Sequence, residues 1–467
     1  MDPNQNATPT DLSRVIKIGA IGLAVLVIFT VAYLWISSYT NKGTVDITTQ
    51  DKNNSISISD SDHKVLKTAN SELKLNVTKG TYFVSVTGNS VGATQQITVT
   101  AHNTTSLDLS PANPSDTEPV YYSPITHFSA GPTQLSYLDD ANNFAYINSD
   151  NAVQTAEDIT FGAVAWGDPG FGLGPNSDGQ LYLISNNKVT PFPYPKGVSS
   201  SGPVVAVSPT HQLYVAVDKV LYSVTTAGKW TNIYTAPGNI TQLAATKDRV
   251  VSLAPTDQAA AEVAVTTSTG QPVARKTLNA GSVALSGSGT YLAITNGDGT
   301  TITDDQLATV QTLPESGAKN ITWGGDTTLY YSVDDKIWSY DAGQQKSQMI
   351  GIAPLGNPIT ELSVNSDSSY LYIGATTTDT FQIQQLFRIG LRHQAVSKTL
   401  TNLQLILPDK EDLYTLLLVN FSGLPTVLVQ PVLGASPDTV LPAARSTLQG
   451  RGFDLNQLRV VVTAPVT

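Results

Sequence analysis

The chain contains no cysteine. Disulfide frameworks, thiolate zinc sites, thiol nucleophiles and a lipidated-cysteine anchor are therefore excluded. Charge is scarce too: Asp, Glu, Lys and Arg make up 13% of the 467 residues, roughly half the share of an ordinary globular chain. Thr, Ser, Asn and Gln take their place, which favours strands and turns over helices. Lys and Arg number 26 against 37 Asp and Glu, for a net charge of -11. No basic cluster stands out, so no nucleic-acid partner is expected. The histidines are only five, His63, His102, His127, His211 and His393. No two are spaced i, i+3 or i, i+4, so a helical metal pair is absent.

What is present begins with one long apolar run. Residues 18–36 carry no charge, and eleven of them are Ile, Leu, Val or Phe. As a helix the run spans about 29 Å, the thickness of a bilayer's hydrocarbon core. Its apolar side chains favour insertion by roughly 3–7 kcal/mol. Tyr33, Trp35 and Tyr39 sit where an interfacial aromatic belt would lie. Arg14 and Lys17 precede the run, whereas Lys42 and Lys52 follow it. The reading is a cytoplasmic tail over 1–17, a transmembrane signal anchor over 18–38, and the bulk of the chain outside the cytoplasm. A cleaved signal peptide is the competing reading. The run exceeds the usual signal-peptide core, and no small-residue cleavage site follows it.

Residues 43–110 alternate apolar and polar in short runs: Val45-Asp46-Ile47, Ile56-Ser57-Ile58, Leu73-Lys74-Leu75, Tyr82-Phe83-Val84-Ser85-Val86, Ile97-Thr98-Val99 and Leu107-Asp108-Leu109. Period-two alternation marks half-buried strands, and so many of them predict a small β-sandwich. The order of strands, with the Lys79-Gly80-Thr81-Tyr82 turn and Asn103-Thr104-Thr105, resembles a PEGA domain. That resemblance implies a surface-exposed spacer. Pro111, Pro114, Pro119 and Pro124 follow, so 111–124 reads as a Pro-rich linker.

From 125 to 400 the chain repeats. Apolar second strands begin near Leu135, Phe171, Leu213, Val250, Leu292, Leu329 and Leu371, at intervals of 36, 42, 37, 42, 37 and 42 residues. A period near 40 with several strands per unit predicts a seven-bladed β-propeller. The turns at 286–294 and 365–373 resemble those of WD40-like, TolB-type propellers. This resemblance implies protein or peptide binding on one face or in the central channel. Beyond 401 the pattern changes to a small C-terminal α/β module. Strands are expected at Leu403–Leu407, Leu413–Val419, Thr426–Val429 and Leu458–Val462, and a helix starting at Ser436-Pro437.

No chemistry-bearing motif survives its context. Gly88-Asn89-Ser90-Val91-Gly92 fits G-x-S-x-G but joins two strands, where a nucleophile elbow needs a strand and a helix. Gly170, Gly172 and Gly174 precede a hairpin turn, not a helix. Asp60-Ser61-Asp62, Asn176–Gly179, Asn296–Gly299 and Asn365–Asp367 offer oxygens for calcium, but such residues also build tight turns. Trp166, Trp230, Trp323 and Trp338 recur at blade positions, for packing or for stacking a sugar or peptide. No catalytic, cofactor-binding or metal residue and no cofactor is assigned. The expected function is a membrane-anchored binding scaffold for an envelope protein, peptide or glycan. The alternatives are a propeller hydrolase or lyase acting on glycans or peptides, and a structural subunit of an envelope complex. The oligomeric state stays open.

Overall fold

The computed structural model describes residues 26, 27, 30 and 41–463, apart from 89–90, 124, 196–197, 199–201, 257–259, 298, 316, 377–383 and 392–397. The expected anchor over 18–38 falls almost wholly outside these residues, as do His393 and the middle of the 88–92 motif. Among the described residues no helix is long and apolar enough to cross a membrane. The chain divides into two compact units, Met1–Pro111 and Ala112–Thr467.

The first unit is a β-sandwich. One sheet orders Glu72–Thr78, Lys42–Thr48 and Thr104–Asp108; the other orders Gly92–Val99, Gly80–Thr87, Ser55–Ser59 and Val65–Asn70. Alternation decides what is inside. Val45 and Ile47 of one sheet meet Ile56, Ile58, Val84 and Val86 of the other, all fully buried, while the polar residues between them face outward.

The second unit is a β-propeller of seven four-stranded antiparallel blades. The innermost strands are Thr126–Ala130, Ala165–Asp168, Val204–Val207, Gln242–Ala245, Ser282–Leu285, Lys319–Trp323 and Ile359–Val364. Each packs against the next, and Ile359–Val364 packs against Thr126–Ala130, which closes the ring. Apolar clusters fill the joints between successive blades. Between blades 2 and 3, for example, Leu173 and Leu181 meet Leu213 and Val215. The second strand of blade 3, Leu213–Val217, is buried at every residue. Both of its faces are covered by neighbouring blades, so alternation disappears. Each such Leu or Val contributes roughly 1.5–3 kcal/mol by leaving water.

Blade 7 departs from the expected boundaries. Its first three strands are Ile359–Val364, Tyr370–Thr376 and Gln384–Gly390, and its fourth is Thr117–Tyr121, from the stretch read as a linker. Pro119 is tolerated because the pairing with 384–390 shifts register between Leu386 and Phe387, opposite that proline. The C-terminal segment continues the same sheet. Tyr414–Val419 and Thr426–Pro431 extend it antiparallel, and Arg459–Val462 adds a parallel edge. Residues 401–467 are thus built onto the propeller's last blade.

Two helices cover this extension, α1 (Lys398–Ile406) and α2 (Pro437–Gly450). The strand expected at 403–407 is mostly α1. Leu403, Leu405 and Leu407 alternate with other residues, but Leu400 and Leu403 share a helical face that is buried, and Leu405 is 80% exposed. Helix α2 begins after Ser436 with Pro437 in its first turn, and buries Val440, Ala444 and Leu448.

Candidate functional site

The inner strand of every blade is a sheet edge, and its free backbone groups need partners. Side chains of neighbouring blades supply several. Gln242 donates to the Val283 carbonyl at 3.1 Å and accepts from the Val283 N–H at 2.9 Å. Trp323 donates to the Ala284 carbonyl at 3.2 Å, Asn320 to the Ile359 carbonyl at 2.8 Å, and Trp166 to the His127 carbonyl. At the joint between blades 7 and 1, the Glu361 carboxylate accepts the His127 N–H at 2.9 Å and also that of Phe128.

The rim is asymmetric. The inner strands of blades 3, 4 and 5 read Val-Val-Ala-Val, Gln-Leu-Ala-Ala and Ser-Val-Ala-Leu, without a charge. Those of blades 6, 7, 1 and 2 carry Lys319, Glu361, His127 and Asp168. On this arc, His127 and Asn320 both adopt a left-handed backbone with φ of 48°. All four strands shift register against their neighbours there. Such bulges re-aim side chains and are common beside binding sites. Burial pushes the Glu361 carboxyl up to about 7, against the opposing pull of the two N–H groups.

A cleft of about 500 Å³ opens beside this arc, at the joint of blades 6 and 7. It is lined by Lys319, Asn320 and Ile359 of the inner strands, Ser332 to Asp335 of the blade 6 hairpin, and Gly356 and Pro358 of the link between blades. Asn320 is held to Ser332 Oγ at 3.0 Å, which fixes one wall. Among the described residues, Lys319, Asp334 and Asp335 enter no ion pair. A second cleft, of about 520 Å³, lies on the same face between blades 4 and 5. Its walls are Pro255, Ala261, Ala280 and other small uncharged residues. Sequence reasoning missed the arc. The available signal was a single carboxylate in Ile-Thr-Glu-Leu-Ser-Val, a run otherwise free of charge.

The residues singled out earlier take structural places. His63, His102, His127 and His211 all have positive φ and occupy turns or a bulge, slots that glycine or asparagine usually fill. His211 stacks on Phe171 and reaches Asp168 at 2.8 Å, on the face opposite the clefts. In the acidic turns, the Asp60, Asn176, Asn296 and Asn365 side chains accept N–H groups of their own loops. Among the described residues no group of three His, Cys, Asp or Glu could hold a metal ion. Trp166 and Trp323 each reach back to the preceding blade's inner strand. Trp230 lies on the outermost strand of blade 3 against Tyr194 and Tyr222, and Trp338 is buried in blade 6.

A separate polar cluster stitches the C-terminal extension to the ring. Arg388 grips Glu118 through two nitrogens, at 2.8 and 3.2 Å, and donates to the Phe421 carbonyl at 2.8 Å. Its guanidinium also lies over the Tyr370 ring. Asn420 donates to Glu118 at 2.6 Å. Asn151, fully buried in a blade 1 hairpin, accepts the Phe421 and Ser422 N–H groups and donates to the Leu424 carbonyl at 2.6 Å. Asn151→Ala strands three backbone groups. A loss of about 2–4 kcal/mol in urea unfolding is expected, more than an exposed turn asparagine would cost.

No family model matches the chain, and no curated protein matches it. Among solved structures, one described as the structure of the Dos1 propeller aligns at 15% identity with a TM-score of 0.43, covering 58% of this chain and 79% of that chain.

Proposed function

We propose that this protein is a binding scaffold whose propeller engages its ligand on the face formed by the second-to-third-strand hairpins and the links between blades. The carrying observation is the coincidence of the blade 6/7 cleft with the one charged, bulged arc of the inner rim. Lys319, Asp334 and Asp335 give that cleft both signs of charge without internal ion pairs. This suits a peptide or glycan bearing polar groups. In this reading residues 18–38 anchor the chain in a membrane and hold the bulk outside the cytoplasm. The sandwich serves as a PEGA-like spacer, and the ring acts as a WD40-like, TolB-type head.

Peptide and glycan arrays probed with the full chain test the reading. Lys319→Glu, at an exposed strand start, and Asp335→Lys, at a half-buried hairpin position, are expected to reduce retention at least about tenfold, the loss of one charged contact. Their melting temperatures are expected to match the parent. Retention unchanged in both variants would remove the cleft from the ligand site. The glycosidase alternative needs a carboxylate pair. On the inner strands, Glu361 lies toward the cleft face and Asp168 is paired with His211 toward the other.

A further inference from the structure

The joint between blades 7 and 1 differs from the four other joints at which a described side chain bonds to the backbone of the neighbouring inner strand. At those four the bridges are neutral amides and indoles. Here one carboxyl spans two backbone N–H groups, those of His127 and Phe128. Glu361 sits on Ile359–Val364, which packs against Tyr370–Thr376, Lys319–Trp323, Thr328–Val333 and Thr126–Ala130. The ionisable groups on these strands are few. Thr126–Ala130 offers His127, Lys319–Trp323 offers Lys319, and the other two strands offer only tyrosines. None of these side chains contributes to the Glu361 titration; its causes are burial and the two N–H groups. Burial holds the His127 imidazole below its ordinary value, so it does not supply a compensating cation at neutral pH.

We propose that this joint is a pH-dependent clasp, in which protonation of Glu361 sets how firmly Ile359–Val364 holds Thr126–Ala130. The direction follows from burial outweighing the two N–H bonds, which by themselves favour the anion. A carboxylate at this joint keeps its two N–H partners but has no positive neighbour among the described residues. Opening the joint returns it to water. The neutral acid is therefore favoured in the closed joint and the anion in the open one. With its closed-state value near 7 and its ordinary value at 4.5, the closed joint binds more protons between those limits. Closure is then strongest at and below pH 4.5, weakens as pH rises to 7, and levels off above. The clasp borders the strand that lines the 6/7 cleft, so its state bears on the shape of the cleft. The clasp itself stands whether or not that cleft binds a ligand.

The test is amide hydrogen exchange of the full chain, without ligand, at pH 5 and pH 8, corrected for intrinsic exchange. In the parent, protection of the peptide holding His127 and Phe128 should fall at least about tenfold more than that of the blade 3 strand Leu213–Val217. In Glu361→Gln, which keeps an acceptor but cannot ionise, the excess fall should vanish. Equal pH dependence in parent and variant would overturn the proposal. Should the variant unfold, carboxyl titration of the parent decides instead: an acid titrating near its ordinary value refutes the clasp.

Discussion

Arg388→Ala is expected to destabilise the second unit by about 3–5 kcal/mol, the cost of leaving a buried charge without its partner. Arg388 and Glu118 are both largely buried, with side chains 11% and 18% exposed. Removing the guanidinium leaves Glu118 with the Asn420 amide as its remaining described side-chain partner and frees the Phe421 carbonyl. The contact over Tyr370 goes as well. Urea unfolding followed by tryptophan fluorescence reads the loss. A paired Glu118→Leu, Arg388→Met variant should recover part of it, because two well-packed apolar groups avoid the desolvation that the ion pair suffers. If Arg388→Ala costs less than about 1 kcal/mol, the pair behaves as a surface bridge and does not latch the ring.

Ending the chain at residue 397 is expected to abolish stable folding of the second unit. The cut removes α1, α2 and the three strands that extend blade 7. Leu400, Leu403, Leu416, Leu418, Val427, Val429, Val440, Ala444 and Leu448 share one core with Tyr122, Ile373, Phe387 and Ile389. Loss of a single buried leucine costs about 2–5 kcal/mol, and the whole stability of a domain is about 5–15 kcal/mol. The truncated protein should bind a hydrophobic dye and lose its cooperative melt. A soluble product with a cooperative melt would show that residues 401–467 are an independent appendage.

Much of the ring was legible in the sequence. The second strands start at Gln134, Phe171, Leu213, Arg249, Tyr291, Thr328 and Tyr370, each within one residue of its expected place. Those strands are covered on both faces, so they read as unbroken apolar runs at a steady interval. The ring's fastening was not legible. Thr117–Tyr121 is short and contains a proline, and its partner lies 270 residues away, so no local pattern betrays the pairing. Helix α1 was misread because leucines at 403, 405 and 407 satisfy a period of two, whereas Leu400 and Leu403 satisfy a helical face. The candidate site was hidden for a related reason. The cleft lined by Lys319 and Asp335 and the Glu361–His127 bridge exist only once blades 6, 7 and 1 are placed side by side, and none of these residues belongs to a recognisable motif.

The strand borrowed for blade 7 also fixes the order in which the molecule can be completed. Thr117–Tyr121 leaves the ribosome long before Gln384–Gly390 exists to receive it. At about 5–20 residues per second, the wait is roughly 14–54 s. During that interval Val120 and Tyr121, buried in the finished ring, lack their final cover. Assembly of blade 7 thus waits for Gln384–Gly390, and nascent chains stalled before residue 384 are the ones expected to recruit chaperones.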